Sequence, residues 1–465
     1  MGSGNGGVVL SWTWIHFPIS WLRERLGLGA NELRLLWVLL AHELCPVSRG
    51  MLRELNTESS ADPTTDTLRQ VAFSTRNYAE GSRLLAPNSP LVLQGLIERT
   101  DIDSNAADHR KTWKIARRIA SLANEDLSMD PELYRLATVV PPDDSQLGIG
   151  GEGVESDPDC WPMLMSALAD GREAREARTL LVQGPRGSGR RTFLRSAAAK
   201  CKIELLEVDC RRISTNPSTA RGQAMAIARE CRLFDRVPLL RDLDKLIPIS
   251  GVTNESSAPT AQHDLVDLVM LELEGLLVLG TTAAVIPGNR LRNPQIIEPA
   301  PLTGLQRARL WARALPMITL DDADLLATVY PIAPALIAGA ATVARAQLHG
   351  SQGALQPRHI RVGLRSVLDG QLTGLAHRVE SSHTRETLVL PADQRESIDE
   401  LISRVITRRQ VYEAWGFGTR SSRGLGVSAL FFGPPGTGKT MAAGLIANEL
   451  GTDLYQVDIS KVVSK

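Results

Sequence analysis

The sequence predicts an α/β fold of about three domains, and two observations support that prediction. An apolar run, a glycine-rich turn and a helix-forming segment follow one another around residue 433, and the same order occurs around residue 184. Apolar runs that alternate with helical segments are typical of a parallel sheet covered by helices.

The composition excludes some classes of protein. Lys+Arg and Asp+Glu both total 52 in 465 residues, and aromatic residues make up 4%. A net charge of zero argues against a strongly electrostatic nucleic-acid binder, and scarce aromatics argue against base stacking. Five cysteines without a C-x-x-C pair favour a reducing compartment, so we expect a cytoplasmic protein. No apolar stretch is long enough for a membrane span, and none is expected.

The turn near residue 433 has the spacing of a complete phosphate-binding loop, G-x-x-x-x-G-K-[ST]. The run 427–432 before it predicts a buried strand, and the segment 441–450 after it predicts a helix that Gly451 ends. Glycines let successive amide groups point inward, and the helix N-terminus adds partial positive charge. The predicted binding residues are Gly433, Pro434, Pro435, Gly436, Thr437, Gly438, Lys439 and Thr440.

This motif indicates ATP with Mg²⁺ as its ligand. The ammonium of Lys439 is expected to reach the β- and γ-phosphates, and the hydroxyl of Thr440 is expected to bind the metal. No catalytic residue is assigned. Only 25 residues follow Thr440, since 465 − 440 = 25, and the acidic residues that polarise water normally lie further along the chain. We therefore expect the chain as given to hydrolyse ATP no faster than a Lys439→Ala variant.

An earlier segment repeats the motif in eroded form. Gly184, Gly187 and Gly189 match the glycines of the later loop, but Arg190 stands at the lysine position and Arg191 at the metal-ligand position. A planar guanidinium does not replace the compact ammonium, and it cannot bind a cation. Strands are predicted at 180–183, 237–240 and 276–282. The second is followed by paired acids, of which one is replaced by Arg241, leaving Asp242 and Asp244. The favoured interpretation is a domain that keeps the fold without the chemistry; a weak nucleotide site is the alternative.

The chain divides, by these patterns, into four segments. They are an N-terminal domain over 1–138, a Gly/Pro-rich linker over 139–159, a module over 160–375 and a further module that begins at 386 and runs to 465. Within the first, 31–44 is predicted as a helix capped by Asn31, and 108–127 as another helix. The second helix carries a basic cluster, interpreted as a solvated face rather than a phosphate contact. Its members are Arg110, Lys111, Lys114, Arg117 and Arg118.

Together these motifs resemble the AAA+ ATPases, in particular bacterial tandem AAA proteins with an N-terminal winged-helix-like domain, often encoded beside contractile injection systems. The stretches that carry the resemblance are 388–391, 415–417, 423–426, 431–451 and 454–460. It implies a winged-helix-like α+β domain, a degenerate AAA+ module with a helical lid over 160–375 and the start of a second, incomplete module. It also implies ATP-driven hexamers that remodel protein partners. Strands at 429–432 and 453–457 would then not be neighbours.

Two functions from different classes remain open at this stage. The first is an AAA+ ATPase of which the given sequence is a fragment. The second is a non-catalytic interaction or scaffold protein that uses the winged-helix-like domain and the inactive module. A DNA-binding regulator is weaker, because no basic recognition helix is evident.

Overall fold

The computed structural model describes most of the chain. The described residues are 19–56, 60–73, 78–100, 107–142, 160–173, 178–185, 187–246, 265–283, 291, 294–349, 355–372, 376–381, 383–411, 415 and 427–457. By internal packing the chain divides into two compact units. The first comprises Met1–Pro142, Ala167–Leu181 and Cys201–Ile296, and the second comprises Asp143–Ser166, Val182–Lys200 and Ile297–Lys465.

The first unit opens with short helices and a two-stranded antiparallel sheet. The elements are α1 (Ile19–Leu26), α2 (Ala30–Leu44), α3 (Pro46–Leu55), α4 (Thr65–Ala72), α5 (Tyr78–Leu84), α6 (Pro90–Leu93), β1 (Ile97–Arg99), β2 (Trp113–Ile115) and α7 (Arg117–Ala123). Helices followed by a hairpin are the order expected for a winged-helix-like domain, which stays a prediction. Among described residues, no single helix is long and apolar enough to cross a membrane; the pair α2–α3, bent by 112°, passes by length and composition alone.

Helix α2 confirms the first predicted helix, with one difference at its start. Leu35, Leu36 and Leu39 face the core at helical spacing and are at most 1% exposed. The helix begins at Ala30, and Gly29 rather than Asn31 stands at the N-cap position, where no side chain bonds to the backbone. Burial of the apolar stripe therefore holds this helix without the predicted cap.

The predicted helix over 108–127 is wrong for most of its length. Asp108–Arg110 is a 3-10 turn, β2 follows, and only Arg117–Ala123 is α-helical. In β2 the outer residues Trp113 and Ile115 are buried and Lys114 between them is exposed, which is the period of a strand. Pairing of β2 with β1, with Ile97 opposite Ile115, satisfies the backbone there.

A larger sheet follows, and its strands alternate with helices as predicted. The elements are β3 (Ala137–Val140), α8 (Cys160–Glu173), β4 (Thr179–Gln183), α9 (Arg190–Lys200), β5 (Leu205–Asp209), α10 (Pro217–Phe234), β6 (Val237–Arg241), α11 (Leu265–Glu272), β7 (Val278–Thr282) and β8 (Gln295–Ile297). In the described part of the chain the strand order is β3-β5-β6-β7-β4-β8. Strands β5, β6 and β7 are parallel neighbours. The strands predicted at 180–183, 237–240 and 276–282 are confirmed as β4, β6 and β7, whereas β5 was not predicted.

The edge strand β3 comes from a part of the sequence that was predicted to end one domain and begin a linker. It pairs antiparallel with β5, with Ala137 opposite Val208. The segment 139–159 therefore starts inside a strand, and its remainder from 143 lies outside the described residues. A short antiparallel strand covers the outer edge of β5 and satisfies its backbone groups.

Helix α10 packs within the first unit on both the sheet and the N-terminal helices. Ala224 and Ile227 belong to the core beneath the sheet, whereas Leu233 belongs to the core of α1, α2 and α7. At its end, the ring of Phe234 lies 5.7 Å from that of Trp21. The N-terminal helices and the sheet thus share a helix and a continuous apolar contact.

The second unit contains a four-helix bundle and a smaller C-terminal group. The bundle helices are α12 (Gly304–Ala314), α13 (Leu320–Val329), α14 (Pro334–His349) and α15 (Pro357–Leu372), around a core that includes the fully buried Trp311. Thr303 and Thr319 each form a capping box with the residue three positions later, which defines where α12 and α13 begin.

The C-terminal group consists of β9 (Ala376–Val379), α16 (Ala392–Arg409), α17 (Lys439–Glu449) and β10 (Leu454–Val457). Helix α17 confirms the predicted helix after the glycine-rich turn, and Gly451, with φ of +66°, follows its end as predicted. Leu388, Ile398 and Leu445 form its small core. Strand β10 gains a partner from the chain itself, since it pairs antiparallel with β9.

The predicted buried strand at 427–432 is wrong in this structure. These residues form no strand, and Leu430 and Phe432 are 87% and 88% exposed. An apolar run becomes a buried strand only where neighbouring strands accept its backbone hydrogen bonds and a second layer covers its side chains. The segment meets neither condition among the described residues.

Candidate functional site

The loop 433–440 has a backbone that depends on glycine at three positions. Gly433, Gly436 and Gly438 have φ of +144°, +82° and +82°, which other residues adopt only under strain. Helix α17 then starts at Lys439, with Gly438 at its N-cap position and no side chain bonded there. The free amide groups of the first turn and the helix dipole favour an anion at this point.

Lys439 lies over the loop that it is predicted to serve. Its Nζ donates to the carbonyl oxygens of Gly433, at 3.0 Å, and of Pro434, at 2.7 Å. The hydroxyl of Thr437 donates to the same Pro434 oxygen at 2.9 Å. These bonds hold the ammonium on the loop, and they must be exchanged for phosphate oxygens when an anion binds.

A cleft of about 670 Å³ opens beside the loop. One wall is the segment 428–434, and the other is helix α16 with Leu390 before it. Gln394, Ser397 and Arg404 contribute polar groups to the second wall among apolar residues. Its size and mixed lining suit a small organic ligand. The motif did not indicate the residues of α16; the only sequence signal near them was the stretch 388–391, which contributes to the family resemblance.

The residues present fit a magnesium nucleotide in part. Thr440 is exposed on the first turn of α17, where its hydroxyl can supply one oxygen ligand. Mg²⁺ usually takes one or two protein oxygens together with phosphate oxygens and water. Within the described ranges, no three His, Cys, Asp or Glu side chains are grouped to hold a metal ion. A metal here would therefore be held chiefly by the nucleotide.

The described glycines of the eroded loop have the same backbone conformations as those of the later loop. Gly184, Gly187 and Gly189 have φ of +156°, +83° and +92°, close to the values at the matching glycines of the later loop. Helix α9 starts at Arg190, as α17 starts at Lys439, and both helices have 11 residues. The predicted repeat is therefore present in backbone form as well as in sequence.

The side chains and surroundings of this first loop differ from those of the second. Arg190, at the lysine position, is 8% exposed, whereas Arg191, at the metal-ligand position, points to solvent. The amide of Ala335 donates to the Gly187 carbonyl at 3.4 Å, and a Cβ at Gly187 would lie 3.2 Å from that of Ala333. The start of α14 therefore covers the loop.

We expect no magnesium-dependent nucleotide binding at the first loop. With the second loop weakened by Lys439→Ala, titration of the full chain with fluorescent ATP should show the weak binding of that loop alone and no second saturable site, with or without Mg²⁺. Neither guanidinium can supply the metal ligand, and α14 occupies one side of the loop. Residual binding that requires Mg²⁺ and disappears in an added Gly189→Val change would contradict this expectation.

Acidic residues at the ends of β5 and β6 are held by arginine. Arg241, at the end of β6, donates from Nη1 to Glu207 Oε1 and from Nη2 to Asp209 Oδ2, both at 2.9 Å. Arg211 forms a second fork on Asp209, at 2.9 and 2.8 Å. Glu207 is 4% exposed and Asp209 is 8% exposed. The predicted strand β6 thus ends in a cationic side chain that is bound to carboxylates of its neighbour β5.

The fork from Arg211 lowers the pKa of Asp209 to about 2, and Arg241 acts in the same direction. Because the folded-state pKa lies below the ordinary value, the ionised Asp209 stabilises the fold above about pH 4. This contribution is lost as the pH falls towards 2. Of the predicted acids, Asp244 accepts from the amide of Ala283 at 3.2 Å, and Asp242 lies 3.5 Å from Arg211. This arrangement leaves the carboxylates engaged with protein groups.

The basic cluster at 110–118 is not a continuous cationic face. Lys111 pairs with Asp108, and Lys114 Nζ lies 3.1 Å from Glu98 Oε2. Arg118 is buried and paired with Glu230. Three cations of the predicted cluster are therefore neutralised within the protein. The interpretation as a solvated face holds for Lys114 and Arg117, and the burial of Arg118 was not predicted.

Comparison with known proteins gives one informative match. Residues 429–465 match the model of the ATPase family associated with various cellular activities (AAA). Among solved structures, the crystal structure of the FIGL-1 AAA domain is similar at 15% identity and a TM-score of 0.35, over 52% of this chain and 94% of that one. A likeness this weak carries no argument. No curated protein matches the chain significantly. The segment match supports an ATP-binding protein of the AAA+ class.

Proposed function

We propose that this chain binds ATP with Mg²⁺ at the loop 433–440, as an ATP-binding module of the AAA+ ATPase class. The observation that carries the proposal is the geometry of the loop: three glycines of positive φ lead into α17, and Lys439 lies at its first position. The family match over 429–465 supports the same ligand. The cleft beside α16 offers room for the nucleoside.

We propose further that the chain belongs to the bacterial tandem type with a winged-helix-like N-terminal domain, which is often encoded beside contractile injection systems. In this proposal the protein works in the cytoplasm, without nucleic acid or membrane, as a homo-hexamer that remodels a protein partner. The repeated loop backbone at 184–189 supports the tandem arrangement. The helices and hairpin of the N-terminal segment support the winged-helix-like domain.

A specific observation supports a structural role for the first module. Arg241, which stands where an acid was expected after the strand at 237–240, is engaged with Glu207 and Asp209 of β5, and Arg211 also binds Asp209. A scaffold function for the first module is therefore compatible with nucleotide chemistry at the second loop. If the second loop also fails to bind ATP, the chain as a whole is better described as a non-catalytic scaffold.

Calorimetric titration with MgATP tests the proposal. We expect the full chain to bind, and Lys439→Ala to weaken binding by about 10- to 100-fold, because it removes charge-assisted hydrogen bonds to phosphate. Lys114→Ala is the matched control, since that lysine pairs with Glu98 on the N-terminal hairpin and should leave the affinity unchanged. Equal affinity of Lys439→Ala and the unmodified chain would contradict an ATP site at this loop.

A further inference from the structure

The helix that begins at the nucleotide loop ends against the four-helix bundle of the same unit. Helix α17 starts at Lys439 and is followed by Gly451, whose carbonyl oxygen accepts a hydrogen bond from the hydroxyl of Tyr330 at 2.8 Å. Tyr330 caps the C-terminus of α13 and is partly buried. Burial raises the pKa of its hydroxyl, which therefore stays a donor at neutral pH.

A second contact lies beside the first. Arg365 of α15 donates to the carboxylate of Asp453, from Nη2 to Oδ1 at 2.9 Å and from Nε to Oδ2 at 3.4 Å. The Asp453 side chain is 16% exposed, and that of Arg365 is 34% exposed. A partly buried fork of this kind holds both distance and orientation, unlike an exposed ion pair. We call Tyr330–Gly451 and Arg365–Asp453 together the helix clamp.

The two ends of α17 therefore contact different parts of the protein: the glycine-rich loop at its start and the four-helix bundle after its end. At its first residue, the ammonium of Lys439 is bonded to the loop carbonyls, and these bonds must be exchanged when phosphate binds. At its far end, about 16 Å away for 11 residues, the clamp attaches the chain to α13 and α15. A helix is stiff along its axis, and close-packed bundles shift as units rather than deform continuously.

We infer that the helix clamp couples occupation of the loop 433–440 to the bundle α12–α15, with Tyr330 and Arg365 as positioning residues. This inference rests on the proposed ATP binding. The clamp fixes the far end of α17 to the bundle, so a shift of α17 on binding of phosphate would have to stretch it. Removal of the clamp should therefore make that shift easier. By linkage, ATP should in turn alter the protection of the bundle helices.

Hydrogen exchange and calorimetry on the full chain test this coupling. MgATP should change the exchange of peptides within 320–329 and 357–372 in the unmodified chain. The double variant Tyr330→Phe/Arg365→Gln should bind MgATP about 5-fold more tightly, and its bundle should no longer respond to MgATP. Arg365→Lys keeps the charge and should retain part of the response. Arg309→Gln, the same change at an exposed position of α12, should behave as the unmodified chain.

Failure of the coupling and failure of ATP binding give different results in these experiments. ATP binding without any change in the bundle peptides would overturn the coupling and leave the proposed function intact. A double variant that binds MgATP with unaltered affinity and an unaltered bundle response would also overturn it. Absence of ATP binding by the unmodified chain would overturn the proposed function, and the coupling with it. Thermal unfolding of each variant shows whether α17 and the bundle stay folded.

Discussion

Arg118→Met should lower the free energy of unfolding by about 3–5 kcal/mol, because it leaves the carboxylate of Glu230 buried without its main partner. The side chains of Arg118 and Glu230 are 1% and 0% exposed, and the guanidinium Nε donates to the carboxylate. Arg236 Nη1 also lies 3.3 Å from Glu230 Oε2, but the same guanidinium makes a shorter contact, at 2.9 Å, with Glu204. Denaturant unfolding at constant pH and salt measures the difference.

A double variant and a control variant test whether the loss of stability comes from the unpaired charge. Arg118→Met/Glu230→Leu should recover much of the loss, because a buried pair replaced by apolar side chains leaves no unpaired charge. Arg117→Met, at the exposed neighbouring position, should change stability by less than about 0.5 kcal/mol. A double variant no more stable than Arg118→Met would show that packing of the arginine, and not its charge, holds this junction.

The loss of unfolding free energy caused by Arg118→Met should also depend on pH. Burial raises the pKa of Glu230 even with its partners present. A carboxyl with a raised folded-state pKa destabilises the fold above its unfolded pKa, and that penalty fades as the pH falls and the group takes up a proton. The variant should therefore approach the unmodified chain in stability between neutral pH and about pH 5. A deficit independent of pH would contradict the assignment to an unpaired carboxylate.

Arg241→Ala should cost about 3 kcal/mol of unfolding free energy, since it leaves the buried Glu207 without its cation. Glu207 is 3% exposed at its side chain and lies 2.9 Å from the guanidinium. Asp209 keeps the fork from Arg211, so the loss should fall mainly on Glu207. The double variant Arg241→Ala/Glu207→Gln should lose less unfolding free energy than Arg241→Ala alone, because it leaves no unpaired carboxylate at position 207.

Arg212→Ala is the matched control for this cluster. Its guanidinium lies 3.6 Å from Asp209 but is 62% exposed, so its removal should cost less than about 1 kcal/mol. We expect the order of stability to be unmodified chain, Arg212→Ala, then Arg241→Ala. If the two single variants were equally stable, the arginine at the end of β6 would have no special part in stabilising the buried Glu207.

The sequence was sufficient wherever structure depends on residues close together in the chain. The glycine spacing and the lysine that follows predicted the turn and helix at 433–449, and both are present with the expected φ values. The apolar runs of β4, β6 and β7 predicted strands, because each lies fully within a sheet that buries it. Such patterns report local geometry and burial directly.

Predictions were wrong where distant parts of the chain decide the outcome. The segment 427–432 has the composition of a buried strand, yet it forms none, because no described strand lies beside it. Residues 113–115 joined a hairpin rather than a helix, because a partner at 97–99 accepts their hydrogen bonds. Strand β10 likewise obtains its partner from 376–379, which no pattern in either segment indicated.

By itself, the sequence determined the nature of the candidate site: a loop of glycines of positive φ, with Lys439 at the first position of a helix. Only the tertiary structure decided which charges meet. Arg118 and Glu230 are 112 positions apart, and Arg365 and Asp453 are 88 apart. Backbone conformation follows from neighbouring residues, whereas pairing of buried charges follows from chain packing, because desolvation makes an unpaired charge too costly to leave in place.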